Sequence, residues 1–338
     1  TAMVQAAKDF SDSADVQALA AEALMCITPW RLWDFETGEA AAAPARTLDA
    51  LQVLEQAIQR RKARGEPSHP GLDHLMVHLL EMSPFPERAL PQCDALVENA
   101  CGTGHLTHMP THVYILCGDY YGSMFWNDKA AAADRRFLAQ EGDLTFYTFY
   151  CAHNIHFKLY AAMFLGHKGY ALAAVEELED LLPERLLRSP SPAGFPFVNI
   201  GESFLAMRYH CWVRFGCWED ILAHPLPTDE EFYCVTLCTA RYARSLAYAL
   251  GDPQDMEKAH QEQVAFETAF KRVPLDWNGV PGLGRRLHNN TCRDILSVSR
   301  KILEGELAYQ EGRCQEAFDL LREAGQLERS PPEGKMVY

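Results

Sequence analysis

The stretch Leu303-Glu304-Gly305-Glu306-Leu307-Ala308-Tyr309-Gln310-Glu311-Gly312-Arg313-Cys314-Gln315-Glu316-Ala317-Phe318-Asp319-Leu320-Leu321 reads as two helices joined by a tight turn. Apolar residues recur at helical spacing on both sides of Gly312, and Ala317-Phe318 sit one turn into the second segment. Small residues let paired helices approach, and Pro331-Pro332 closes the second one. The same punctuation recurs upstream at Cys117-Gly118-Asp119-Tyr120, Leu165-Gly166-His167-Lys168, Phe215-Gly216-Cys217-Trp218 and Leu250-Gly251-Asp252-Pro253. Strand signals are almost absent, so the expected class is all-α.

An aromatic and a glycine closing one helix, with Ala-Phe opening the next, is the packing logic of a tetratricopeptide (TPR) hairpin. The glycine intervals are uneven and mostly longer than the standard repeat of about 34 residues, which predicts a degenerate TPR-like α-solenoid over residues 1–338. Helices are expected at 13–28, 47–63, 70–83, 87–100, 106–117, 120–140, 143–165, 169–183, 199–215, 229–250, 254–271, 291–311 and 314–326. The turn-rich connection 184–198 is the best internal boundary, and 273–287 reads as a further loop.

Thirty-one basic against 46 acidic residues give a formal charge of −15, which disfavours nucleic acid and anionic lipid as partners. No apolar run approaches the length of a membrane span, and the start Thr-Ala-Met-Val-Gln lacks the form of a secretion signal. Eleven cysteines without a Cys-x-x-Cys pair fit buried reduced thiols better than a disulfide framework. A cytoplasmic location is therefore expected.

Eight of the thirteen histidines fall within 69–156, in three segments. These are His69-Pro-Gly-x-x-His74-x-x-x-His78-x-x-Glu81, His105-x-x-His108-Met-Pro-x-His112 and His153-Asn-Ile-His156. At helical spacing each segment presents its imidazoles on one face, within about 60° of each other. Imidazole is the commonest protein ligand for transition metals. We therefore expect His74, His78, His108, His112, His153 and His156 to converge as metal ligands.

Pro70 suits the first position of its helix, with His69 at or beside the cap. Pro110 lacks an amide proton, so its helix should begin near Leu106 or Thr107. His69 and His105 are then ligands, hydrogen-bond partners of ligands, or caps. Glu81 is a ligand, a partner orienting His78, or a surface carboxylate. Grouped imidazoles from a helical scaffold favour copper, then iron, then zinc.

Other features are less directive. Trp30, Trp33 and Phe35 either cover the mouth of the concave wall or pack at a turn. Phe146, Tyr147, Phe149 and Tyr150 either line a pocket or belong to the core. Glu202 is the carboxylate outside the histidine segments that stands out, and Asn289-Asn290-Thr291 reads as a cap for the helix beginning near Cys292.

The strings from His69 to His78, Gly104 to His112 and His153 to His156 resemble a family of tetratricopeptide-repeat proteins found largely in bacteria. Glu22-Ala-Leu-Met followed by Pro29-Trp30 is similar to that family too, as is Asn289-Asn290-Thr291 ahead of Leu303-Glu-Gly-Glu-Leu-Ala. The resemblance implies an α-helical repeat fold, with further repeats continuing past Pro331-Pro332. That family is labelled by its fold and not by an activity.

Two functions follow as expectations. The first is a metal-dependent oxidoreductase, an oxidase or oxygenase that activates dioxygen on copper or non-haem iron and acts on a small organic molecule in the groove. The second is a TPR scaffold that binds a peptide or protein partner in the same groove without catalysis. Such grooves usually present Lys, Arg and Asn to carboxylates, whereas these helices carry histidine and aromatic residues.

Overall fold

The computed structural model describes residues 2–35, 37–99, 102–191 and 194–329. Pro331-Pro332, and Pro192-Ala193 within the turn-rich connection, lie outside the described residues. The chain is predominantly helical and divides into two compact units, 1–140 and 141–338. The 184–198 stretch lies inside the second unit.

The first unit contains α1 (Ala2–Asp9), α2 (Ala14–Met25), α3 (Thr47–Ala63), α4 (Pro70–Leu80), a 3-10 turn (Pro86–Ala89), α5 (Leu90–Asn99), α6 (Gly104–His108), α7 (Pro110–Leu116) and α8 (Tyr120–Glu141), the last reaching the boundary. The hairpin α2/α3 packs on α4, and α4 on α5. Leu24, Leu54, Leu72, Leu79, Leu80 and Leu96 form the fully buried centre of this unit's core. Each such side chain contributes roughly 1.5–3 kcal/mol on leaving water.

The second unit contains α9 (Tyr147–Phe164), α10 (Lys168–Leu181), α11 (Glu184–Leu187), α12 (Val198–Leu205), α13 (Met207–Arg214), α14 (Trp218–Ala223), α15 (Cys234–Leu250), α16 (Met256–Arg272), α17 (Cys292–Gln310) and α18 (Cys314–Arg329). The pairs α9/α10, α15/α16 and α17/α18 are hairpins in close contact. At Gly305 the α17/α18 approach is so tight that a methyl group would meet Leu321 Cγ at 2.9 Å.

Four of the five glycine turns use one device. Three residues past the helix an amide returns to a carbonyl of its last turn, as in Asp119 to Tyr114, His167 to Ala162, Cys217 to Trp212 and Arg313 to Ala308. The glycine before each amide has positive φ, from +62° at Gly216 to +82° at Gly118, which costs a residue without Cβ little. Gly251 ends its helix with φ −76° instead.

Several boundaries shift. The helix expected at 199–215 is divided at Ala206, and α1 and α14 are additions. The segment 273–287, read as a loop, holds a two-stranded hairpin β1/β2 (Asp276–Trp277, Val280–Pro281) and the start of a second, β3/β4 (Arg286–Leu287, Asn290–Thr291). Asn278-Gly279 makes the first turn with both residues at positive φ, the pattern that Asn-Gly favours between paired strands. Thr291 caps α17 as expected, its hydroxyl accepting from the Asp294 amide at 3.2 Å.

All ten described cysteines are free thiols, so burial and not cross-linking holds these units together. Among the described residues no helix is long and apolar enough to cross a membrane.

Candidate metal centre

Five imidazoles form a contiguous cluster in the first unit. His74 and His78 stand one turn apart on α4, with ring centroids 4.6 Å apart. His105 meets His74, Nε2 to Nε2 at 3.1 Å. His108 meets His112, Nε2 to Nε2 at 2.9 Å. The rings of His105 and His108 stack at 6.4 Å and link the two pairs.

His105 joins the cluster because the helix starts earlier than Pro110 suggests. Gly104 opens α6, and Met109 keeps helical angles (φ −51°, ψ −41°), so the chain runs on into α7 with Pro110 at its head. The amide that Pro110 lacks removes one bond from a continuing spiral and does not mark its start. Positions 105, 108 and 112 therefore share a face.

His69 has another role. Its Nδ1 accepts the Leu72 amide at 3.3 Å as the N-cap of α4, and its Nε2 lies 3.1 Å from Asp15 Oδ1. Both ring nitrogens are thereby engaged in capping and in a surface contact.

Glu81, at the end of α4, is buried between two imidazoles. Its Oε1 lies 2.9 Å from His78 Nδ1 and its Oε2 2.7 Å from His112 Nδ1. Burial raises the carboxyl, but the facing His112 and His78 outweigh it and hold the group below the usual carboxylate range. A carboxylate only accepts, so His78 carries a proton on Nδ1, and the Nδ1 of His112 is the ring atom turned to the carboxylate.

Asn127 on α8 does the same for His108. Its Oδ1 lies 2.6 Å from His108 Nδ1, while its Nδ2 donates to the Ser123 carbonyl at 2.9 Å, which sets the amide orientation. His108 and Asn127 are both fully buried. Thus His108 Nε2 presents a lone pair, and it faces His112 Nε2 at 2.9 Å.

Burial, followed by the neighbouring imidazoles of His78 and His105, pushes His74 down to about 3. Burial and the imidazoles of His78 and His112 push His105 down to about 4, and burial holds His108 well below the ordinary value. His74, His105 and His108 are therefore held in the neutral form that binds metals. Nitrogens of His74, His78 and His105 lie within 4.8 Å of one another and can hold a metal ion. Two imidazoles at right angles on one ion, with bonds of about 2.0–2.1 Å, place their nitrogens about 2.9 Å apart, and tetrahedral ligands about 3.3 Å apart. The observed 2.9 and 3.1 Å fall in this range.

In the second unit His153 and His156 project from α9 onto His288, which the sequence reading passed over. His288 Nδ1 lies 3.0 Å from His153 Nδ1, and His288 Nε2 lies 3.0 Å from His156 Nδ1. His288 sits at the β3/β4 turn with φ +51°. Histidine is among the residues enriched in that left-handed region, and the two-residue span between Leu287 and Asn290 is the signal that was available.

Glu202 anchors this hairpin and is no ligand. It accepts from Arg285 Nε at 3.0 Å and from the Thr236 amide at 2.8 Å, and Arg285 also binds Asn199 Oδ1 at 2.8 Å. Ser203 on the same helix donates to the Arg286 carbonyl. Burial, with a lesser effect from His210, pushes His156 down to about 3.

The aromatic residues divide. Trp33 is buried and donates Nε1 to the Leu79 carbonyl at 2.6 Å, and Phe149 is buried against Phe197. Trp30, Phe146 and Tyr150 are exposed. The chain matches no family model, no curated protein and no solved structure.

Proposed function

We propose that this chain is a histidine-ligated transition-metal oxidoreductase, with its metal held in the first unit by His74, His78, His105, His108 and His112. The observation that carries this reading is the convergence of imidazole nitrogens, with His108 Nε2 aimed by Asn127 at His112 Nε2 across 2.9 Å, His74 Nε2 3.1 Å from His105 Nε2, and the His74, His78 and His105 nitrogens within 4.8 Å of one another. A proton would occupy one such gap; a metal uses the whole set of converging imidazoles.

Copper is the favoured ion. Glu81 turns its two oxygens to the Nδ1 atoms of His78 and His112, away from their Nε2 atoms, so the donor set is all imidazole and unlike the two-histidine, one-carboxylate set of non-haem iron. An all-nitrogen set without thiolate suits copper, with zinc ranking after iron among the alternatives. Copper so held supplies one-electron chemistry and dioxygen binding. Protein residues supply the orientation, through Glu81 and Asn127, and the substrate is a small organic molecule.

The TPR-like architecture belongs to the same proposal. The close α17/α18 approach at Gly305 and the recurring glycine turns support a degenerate TPR-like array.

Elemental analysis of protein purified without a histidine tag tests the proposal. About one or two equivalents of copper or iron per chain are expected, and His74→Ala with His112→Ala should remove them while helix content by circular dichroism is kept. Wild-type protein that takes up no metal from excess copper or iron overturns it.

A further inference from the structure

Trp30 has the backbone of a residue held in place for a purpose other than packing. Its φ is +61°, a region that bulky side chains seldom occupy and that costs of order 1–3 kcal/mol. Burial does not offset that cost, because the side chain is 43% exposed. Trp33, three residues on, shows the contrast, being 5% exposed with its indole tied to the Leu79 carbonyl and its ring edge-on to Phe85.

The segment around Trp30 is firmly held. The Arg31 amide donates to the Thr28 carbonyl at 3.0 Å, and Leu32 is buried with its carbonyl accepting from the Thr47 hydroxyl. Trp33 is bonded to α4 one residue after His78. These anchors leave the indole of Trp30 edge-on to the His78 ring, with centroids 5.8 Å apart at 76°. His78 is also on the open side of the cluster, since its side chain is 19% exposed against 10% for His112 and full burial for His108.

From this placement we infer that Trp30 is the substrate-recognition wall of the metal centre, and that the substrate is a small molecule with a planar aromatic ring. An exposed indole face offers such a ring an offset-stacked or edge-to-face contact worth more than its buried area alone. A cationic ligand would find the same face attractive, but a metal-loaded centre beside it repels positive charge. This inference rests on the metal reading above and names the substrate class for that site.

The test uses metal-loaded protein with 4-methylphenol and 4-methylcyclohexanol as probes, matched in size, and benzylamine as the cationic competitor. Binding is followed by ligand-observed NMR and calorimetry. The aromatic alcohol should bind measurably and at least about tenfold tighter than the saturated one, Trp30→Ala and Trp30→Gly should remove about that factor, and Trp30→Phe should keep most of it. Metal equivalents should stay unchanged in all three variants. Trp30→Gly should also melt no lower than wild type, since glycine adopts the left-handed backbone without strain.

Equal binding of the two alcohols, no binding of either, tighter binding of benzylamine, or a variant that binds 4-methylphenol as well as wild type each overturns the inference. So does a fall in melting temperature for Trp30→Gly of the size expected for a core residue. A wild-type protein without metal sinks the functional proposal itself, whereas metal with no dependence on Trp30 sinks only this inference.

Discussion

In the first unit His78, His108 and His112 each present Nδ1 to an acceptor oxygen, whereas in the second unit His288 turns both ring nitrogens towards other imidazoles. The first arrangement turns the Nε2 atoms towards neighbouring imidazoles. The second forms a chain, because the two nitrogens of one ring point apart and one ion cannot sit at both. The first group holds five imidazoles and the second three, and the lesson lies in what stands behind each ring. An acceptor on Nδ1 turns a histidine into an oriented ligand, and another imidazole there leaves its tautomer open.

Acid should act on both groups and gives the largest effect. His74, His105 and His156 have folded-state values of about 3 to 4, below the ordinary value of about 6.5. Between those limits the unfolded chain binds more protons than the folded one, so stability rises with pH. It should therefore fall as pH drops below about 6.5, by up to about 1.4 kcal/mol per pH unit for each such imidazole, until their folded-state values are reached. Chemical denaturation of metal-free protein at several pH values between 7 and 4 measures this slope. A flat profile would mean that these rings titrate normally when folded.

Glu81→Gln separates the groups. The amide offers one acceptor where the carboxylate offers two, so one of His78 and His112 loses its orienting partner, and metal affinity should drop by about 10- to 100-fold. Competition with a metallochromic indicator reads this directly. Unchanged affinity would detach Glu81 from the site.

His288→Asn carries the smallest expected effect on metal, namely none. Asparagine tolerates the left-handed turn, so the hairpin should persist while the imidazole chain is cut. Metal equivalents per chain, measured by elemental analysis, should match wild type. A loss of metal in this variant would erase the distinction drawn between the two groups.

Much of this was readable from local pattern. The glycine turns and the helices on either side of them follow from short-range sterics, and Pro70 with His69 marks the start of α4 as expected. His74, His78, His108 and His112 were legible because helical spacing alone puts them on common faces. Pro110 set the expected helix start two residues late, since the spiral opens at Gly104 and Pro110 heads its continuation in α7. The two small hairpins were missed although Asn278-Gly279 announces the first of them.

Residue type and spacing by themselves determined the helical class, the turns and which imidazoles share a face, since those depend on backbone geometry within one or two turns. Only the tertiary structure decided which oxygen stands behind His108 and His112, that Glu81 faces two histidines at once, that Asn127 from α8 sets His108, and that His288 meets α9 from 132 residues away. Those contacts join segments far apart in the chain. Their geometry is set by how helices pack, and no local pattern encodes it.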